Sequence, residues 1–291
     1  MTKGPGLSGK DADQENFPVA SLLISRALRP HVMAFYDFAR AADDIADSPD
    51  LAAPDKVARL DTMEQVLLGV ANTCGPETPV AARLRDSLRD RELAPTHPVT
   101  LLRAFRQDTM KTRYDTWDDL LAYCAWSADP VGRFLLDLHG EDPSGWFASD
   151  ALCSALQILN HIQDCGADRR DLDRVYVPGT MLAAEGLDVR ALDAPRTSPA
   201  LRRVFVGMLD GCDDLLKRSE SLPERLRSRR LAAESALIIR LATDLSARLR
   251  SGDPLNTRVT PRPIDKLRAG LSSLRTLLVP TRRPTDRKRR A

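Results

Sequence analysis

The chain has 291 residues, 43% of them hydrophobic, with 43 Lys/Arg against 41 Asp/Glu and a formal net charge of +2. That much apolar material supports a substantial core and excludes a chain that is disordered throughout, while the lack of any run of about 18 apolar residues excludes a membrane-spanning helix. The small net charge hides an asymmetry: residues 262–291 carry ten Lys/Arg against Asp265 and Asp286, which leaves −6 on the remainder and argues against general nucleic-acid binding.

The opening Met1-Thr2-Lys3-Gly4-Pro5-Gly6 lacks the apolar stretch of a secretory leader, so a cytoplasmic location is expected. Five dispersed cysteines, Cys74, Cys124, Cys153, Cys165 and Cys212, form no CxxC pair and read as free buried thiols. Neither a disulfide framework nor a zinc site is indicated.

Alternating strand patterns are scarce, whereas apolar residues recur every three or four positions along Ala-, Leu- and Arg-rich stretches, so an all-α fold is expected. Residues 1–14 read as a flexible polar lead, 15–261 as one helical body, and 262–291 as an amphipathic helix with a basic tail. Pro30 opens a helix that runs to about Ala46, and Pro49 and Pro54 mark its end. Further helices are predicted over 55–69, 79–91, 99–111, 117–139, 145–170, 197–217, 224–250 and 263–278, separated by Pro- or Gly-bearing breaks. Pro130 falls inside the fifth of these patterns and should kink or divide it.

Two of the helices carry polar stripes on otherwise apolar surfaces. In the first, Tyr36, Arg40, Asp43 or Asp44, and Asp47 follow at steps of three or four, surrounded by Val32, Phe35, Phe38, Ala42 and Ile45. In the second, Gln157, Asn160, Asp164 and Asp168 follow the same rule amid Leu156, Ile158, Leu159 and Ile162. Aspartates four residues apart share a helix face at roughly 5–6 Å between Cβ atoms, where like charges repel. Mg²⁺ relieves such a pair, because it takes one or two carboxylates together with the phosphates of a substrate. The chemistry suggested is therefore a magnesium-dependent diphosphate site. Arg169, Arg170, Arg174 and Tyr176 lie just downstream, placed to add donors for phosphate oxygens. No Glu-x-x-His pair, G-x-G-x-x-G or P-loop is present, which disfavours di-iron, dinucleotide and NTPase readings. His161 follows Asn160 directly and is expected off the ligand stripe, as packing or support; His31, His97 and His139 read as structural or surface residues.

These residues resemble the squalene/phytoene synthase family, whose members carry a DxxxD on each of two facing helices of an all-α isoprenoid-synthase bundle with a central cavity. Arg40 to Asp47 is similar to the first motif, Gln157-Ile158-Leu159-Asn160 through Tyr176-Val177-Pro178 to the second, and Tyr123-Cys124 through Val131-Gly132 to the helix between them. Within the family, Glu15 to Ser21, Ser127 to Arg133 and Gln163 look like the hopanoid-pathway branch that converts presqualene diphosphate to hydroxysqualene. The general pattern is departed from at Asp129-Pro130 and at Gln163, where an Arg is usual, so a phosphate-gripping role is not carried over to position 163.

The resemblance implies an enzyme in which Asp43, Asp44, Asp47, Asn160, Asp164 and Asp168 hold more than one Mg²⁺ ion against a prenyl diphosphate, and Tyr123 serves the cation left behind. Asn16, Phe17, Tyr36, Arg40, Gln157, Arg174 and Tyr176 are its implied substrate-binding residues. Arg113 and Tyr114 read equally as diphosphate contacts or as a helix cap. Phe38 and Phe134 are further candidates for an aromatic wall. The expected reaction is ionisation of presqualene diphosphate with capture of water to give hydroxysqualene, with no nicotinamide. Head-to-head condensation of two prenyl diphosphates, to presqualene diphosphate, squalene or phytoene, is the alternative within the family. A non-catalytic helical module contacting membranes or partners is the alternative from another class. The stripe Ile264, Leu267, Leu271, Leu274 and Leu278 beside Lys266, Arg268 and Arg275 suits either an interfacial helix at the inner face of the membrane or a last helix packed on the bundle. Anionic lipid surfaces and other enzymes of the same pathway stand as candidate partners.

Overall fold

The computed structural model of the chain describes residues 23–70 and 75–260, together with residues 269, 270, 273, 276 and 277. Asn16, Phe17, Cys74, the lead over 1–14 and most of 262–291 lie outside the described residues.

Eleven α-helices are described: α1 (Arg29–Asp47), α2 (Ala53–Leu68), α3 (Thr78–Asp90), α4 (Thr96–Asp108), α5 (Trp117–Ser127), α6 (Asp129–Leu138), α7 (Trp146–Leu172), α8 (Gly179–Ala184), α9 (Pro199–Ser219), α10 (Leu222–Arg225) and α11 (Arg229–Leu249). Among the described residues there is no strand, only one isolated bridge between Arg113 and Val175. None of the described helices is long and apolar enough to cross a membrane. The all-α expectation holds, and the long helices fall close to their predicted positions because their signals are local. Proline sits in the first turn of α1, α2, α3, α6 and α9, where its missing N–H costs nothing. Thr116, Ser198 and Ser228 cap α5, α9 and α11 by accepting from the backbone N–H three residues on. Gly69 ends α2 at φ +74°, a left-handed turn that favours glycine. Pro130 divides the fifth pattern rather than kinking it: α5 stops at Ser127, Ala128 has left helical geometry, and α6 starts at Asp129. The short helix α8 was not expected.

Two apolar clusters make the core. One gathers α1 to α4 with Phe134 and Leu138 of α6, and the other gathers α5, α7, α9 and α11. Phe38 and Phe134 belong to the first cluster, where Phe134 stacks on Phe35 with centroids 4.2 Å apart, so they fill the core rather than face a cavity. Helix α7 carries 13 buried residues spread around its circumference, as expected of a central helix packed on several sides.

Close approach decides where α9 meets α5. A Cβ built on Gly211 would lie 2.4 Å from Cζ2 and 2.7 Å from Cη2 of Trp117, a rigid ring. On Gly207, one turn earlier, it would meet only the terminal methyl of Met181, at 2.8 Å. Both substitutions gain helix propensity of about 1 kcal/mol. Gly211→Ala is expected to be destabilising by about 1–2 kcal/mol net because overpacking outweighs that gain, while Gly207→Ala is near neutral. Urea midpoints of the two variants check this, and equal stability would remove the packing argument.

Candidate active site

The seam between the two clusters holds a cavity of about 240 Å³. Its lining includes Asp43 and Asp47 from α1, Phe105 and Asp108 from α4, Tyr123 and Ser127 from α5, and Arg174 and Tyr176 from the segment after α7. Gln157, Asn160, His161, Asp164, Asp168 and Leu172 of α7 close the other wall. Both aspartate pairs thus reach one cavity from helices more than 100 residues apart in the chain.

Helical period explains the aspartates, but pairing of extended backbone explains Arg174 and Tyr176. Asp173 leaves α7 at φ +49°, and residues 175–180 then run beside 112–115, with Val175 N–H donating to Thr112 carbonyl and Gly179 N–H to Tyr114 carbonyl, both at 2.9 Å. Side chains alternate in such a segment. Arg174 and Tyr176 therefore face the cavity together, and Val175 and Val177 are buried in the core.

Arg174 is buried and ties the walls together. Its Nη1 donates to Asp47 Oδ1 at 3.0 Å and to Tyr176 Oη at 3.4 Å, and its Nη2 donates to the Asp108 carbonyl at 3.2 Å. Tyr123 Oη donates to Asp108 Oδ2 at 2.7 Å and lies 3.4 Å from Tyr176 Oη. Burial pushes Asp108 up to about 7, against the pull of Arg174 and the Tyr123 hydroxyl. Asp43 is also pushed upward, by desolvation first and then by Asp47, with Arg40 opposing, and the 40% of its side chain left in solvent moderates the shift. Asp108 Oδ1, Ser127 Oγ and Arg174 Nε are buried with no hydrogen-bond partner among the described residues. Three orphaned polar atoms on one lining are what a site looks like when its groups are arranged for something other than each other.

Several residues expected here sit elsewhere. Asp44 lies on the other side of Arg40, which pairs with Asp44 Oδ1 at 3.2 Å and with Asp43 Oδ2 at 3.4 Å. One residue of helix is a turn of 100°, enough to take Asp44 off the lining, whereas Arg40 and Tyr36 share the face of Asp43 but stand one and two turns back along α1, outside the cavity. Arg113 does not reach the cavity but serves a helix end: its Nη2 donates to Asp173 Oδ1 at 2.6 Å and its Nη1 to the carbonyl of Asp173, the residue that closes α7, fastening the turn that delivers Arg174. Tyr114 stands behind the lining, stacked on Tyr176 with centroids 5.4 Å apart, its hydroxyl accepting from Gln107 at 3.2 Å. Gln163 donates to the Val259 carbonyl and so pins the segment after α11 across α7, near where Arg258 approaches Asp164 at 3.9 Å.

His161 corrects the sequence reading in part. It is packed, as expected, lying flat on Tyr176 with centroids 3.5 Å apart, yet it also lines the cavity, because it is four residues from Gln157, whose Nε2 is 3.2 Å from His161 Nε2. Burial lowers it to about 3, so the ring is neutral. The other histidines serve structure: His31 meets Ser87 at 2.8 Å, His97 meets Asp137 at 2.7 Å, and His139 meets the Leu135 carbonyl at 2.8 Å. The described cysteines are all free, and burial raises Cys153 and Cys165 to about 12.

Asp108 was not anticipated, although a signal exists. It falls on the face of α4 marked by Leu101 and Ala104, and an acid on a buried apolar face needs a reason to be there. As for metals, among the described residues no three His, Cys, Asp or Glu side chains lie close enough to share one ion. The donor set is two carboxylate pairs on opposite walls, not a cage, and that suits cations completed by phosphate oxygens.

Known proteins share this arrangement of sequence and fold. The chain is 43% identical over 272 residues to a hydroxysqualene synthase of Rhodopseudomonas palustris, covering 94% of this chain and 92% of that one. It is 43% identical over 255 residues to a hydroxysqualene synthase of Zymomonas mobilis, covering 87% and 84%. A crystal structure of a squalene synthase from Alicyclobacillus acidocaldarius superposes with a TM-score of 0.69 at 33% identity, over 80% of this chain and 87% of that one. The sequence profile described as squalene/phytoene synthase matches residues 11–268. With both aspartate motifs walling one cavity inside that match, the chain belongs to the squalene/phytoene synthase family.

Proposed function

We propose that this enzyme ionises presqualene diphosphate in the presence of Mg²⁺ and lets water capture the cation, releasing hydroxysqualene and diphosphate. The observation that carries the reading is the convergence of Asp43, Asp47, Asp164 and Asp168 with Arg174 on one cavity. The choice of step is supported by the names of the two relatives that match most of the chain at 43% identity.

The chain's own groups divide the work. Asp43 and Asp47 on one wall, and Asp164 and Asp168 with Asn160 on the other, are the residues that would hold Mg²⁺. Bound there, the ions would supply concentrated positive charge to the departing diphosphate. The Asp43 carboxyl, pushed upward by partial burial and by Asp47, would give up its proton in favour of a cation bound beside it. Arg174 adds a planar donor fork beside the aspartates, fixed before substrate arrives by Asp47 and the Asp108 carbonyl. Tyr123, Tyr176 and His161 offer ring surface to a cation, and their burial excludes bulk water. Capture by water leaves the oxidation level unchanged, so the reaction consumes no nicotinamide.

Incubation of the purified protein with presqualene diphosphate and Mg²⁺, without nicotinamide, is expected to release hydroxysqualene. A parallel incubation with farnesyl diphosphate alone is expected to yield no lipid product. Formation of presqualene diphosphate or squalene from farnesyl diphosphate would assign the condensation step instead. Inertness toward every prenyl diphosphate would favour a binding module.

A further inference from the structure

We propose that Ser127 is the positioning residue for the water that captures the carbocation, its hydroxyl holding that water together with the Gln157–His161 pair. The inference rests on the reaction proposed above and deepens it.

Ser127 lines the cavity at the last residue of α5, one turn beyond Tyr123. Its Oγ is buried and has no hydrogen-bond partner among the described residues. A serine hydroxyl can donate one bond and accept two, and a buried hydroxyl with none is an exception that asks for an explanation. Two features of the surrounding structure keep it there, and a third gives it polar company on the lining. Ala128 leaves helical geometry and Pro130 starts a new helix, so α5 ends at Ser127. Ser154 Oγ donates to Asp129 Oδ1 at 2.9 Å, fastening this junction to α7 one turn before Gln157. Gln157 and His161, 3.2 Å apart at their Nε2 atoms, line the same cavity from α7. A water needs two to four polar partners in a space large enough to hold it. The Ser127 hydroxyl and this amide–imidazole pair are polar groups on a cavity of about 240 Å³ whose remaining charged groups suit diphosphate.

The chemistry balances without a further reactant. The C–O bond of the substrate breaks and its electron pair leaves on the diphosphate. The water oxygen then gives a pair to the cationic carbon, forming the new C–O bond, and the released proton passes to the diphosphate. A cation that meets no placed water instead loses a proton from a neighbouring carbon and becomes a hydrocarbon. The ratio of alcohol formed to diphosphate released therefore reports the water, independently of how fast ionisation occurs.

The test compares wild type, Ser127→Ala and Ser127→Thr, each given presqualene diphosphate, Mg²⁺ and ¹⁸O-labelled water. Hydroxysqualene formed per diphosphate released is expected to fall about fivefold or more in the Ala variant, with hydrocarbons rising, and to recover to within about twofold in Thr, which restores the hydroxyl. Ser127→Val supplies a second hydroxyl-free protein should the Ala variant fail to fold. An unchanged ratio in the folded hydroxyl-free variants overturns the assignment, and so does failure of Thr to recover it. Wild type that ionises the substrate but forms no labelled alcohol overturns the proposed function itself, a result distinct from both.

Discussion

Asp43→Asn and Asp164→Asn are each expected to lower kcat by at least about 10²-fold while leaving helical content unchanged, the scale seen when one preorganised charge-stabilising group is removed. Asn matches Asp in shape, so packing is kept and only the charge and half of the carboxylate's ligand capacity go. Asp43 allows activity and stability to be separated. Partial burial and the neighbouring Asp47 push it above the usual carboxylate range, an effect moderated by the 40% of its side chain left in solvent, so without a cation the folded state binds this proton somewhat more tightly than the unfolded chain does. By linkage, metal-free protein then loses stability as pH rises from about 4 through the raised folded value and stays at the lower level above that. Asp43→Asn removes this contribution, so in EDTA its Tm at pH 8 should equal or exceed that of wild type even though turnover is lost. Mg²⁺ with diphosphate should raise the Tm of wild type and do so less for the variant, because ligands stabilise only the state that binds them. Full activity in Asp43→Asn, or in wild type with excess EDTA, would end the magnesium reading.

Arg174→Gln is expected to lower kcat/KM by about 10²–10³-fold and to destabilise the fold by about 1–3 kcal/mol. The guanidinium is buried and serves Asp47, Tyr176 and the Asp108 carbonyl at once. Its loss leaves that carbonyl short of a donor and Asp47 without its cation. The stability effect is moderate because the Asp47 side chain keeps about a third of its surface in solvent. Arg174→Lys retains the charge but not the planar fork, and one ammonium cannot reach all three acceptors. It should therefore recover stability more than activity. Steady-state kinetics and urea melts on the pair decide the matter: Arg174→Gln within threefold of wild-type kcat/KM would remove Arg174 from the diphosphate grip.

What could be read from the sequence was what is decided within one helix. Proline in a first turn, Pro- and Gly-bearing breaks and three-to-four periodicity located the long helices, and Pro130 marked the boundary between α5 and α6. The same periodicity put Asp43 with Asp47, and Gln157, Asn160, Asp164 and Asp168 together, on single faces, since a face is fixed by 100° per residue whatever lies opposite. It left Asp43 and Asp44 as alternatives on the first stripe, and only the packed structure, which turns Asp43 and not Asp44 to the cavity, selects Asp43.

Everything that depends on two distant segments meeting was settled by tertiary structure. Arg174 and Tyr176 reach the cavity, while Arg113 does not, because 175–180 pairs with 112–115, a register that no local pattern encodes. Asp108, Ser127 and His161 become part of one lining only when α4, α5 and α7 converge at the seam between the two apolar clusters. Chain sequence determines the direction of a side chain about its own helix axis; what that side chain faces is set by the packing of helices brought together by burial of their apolar faces.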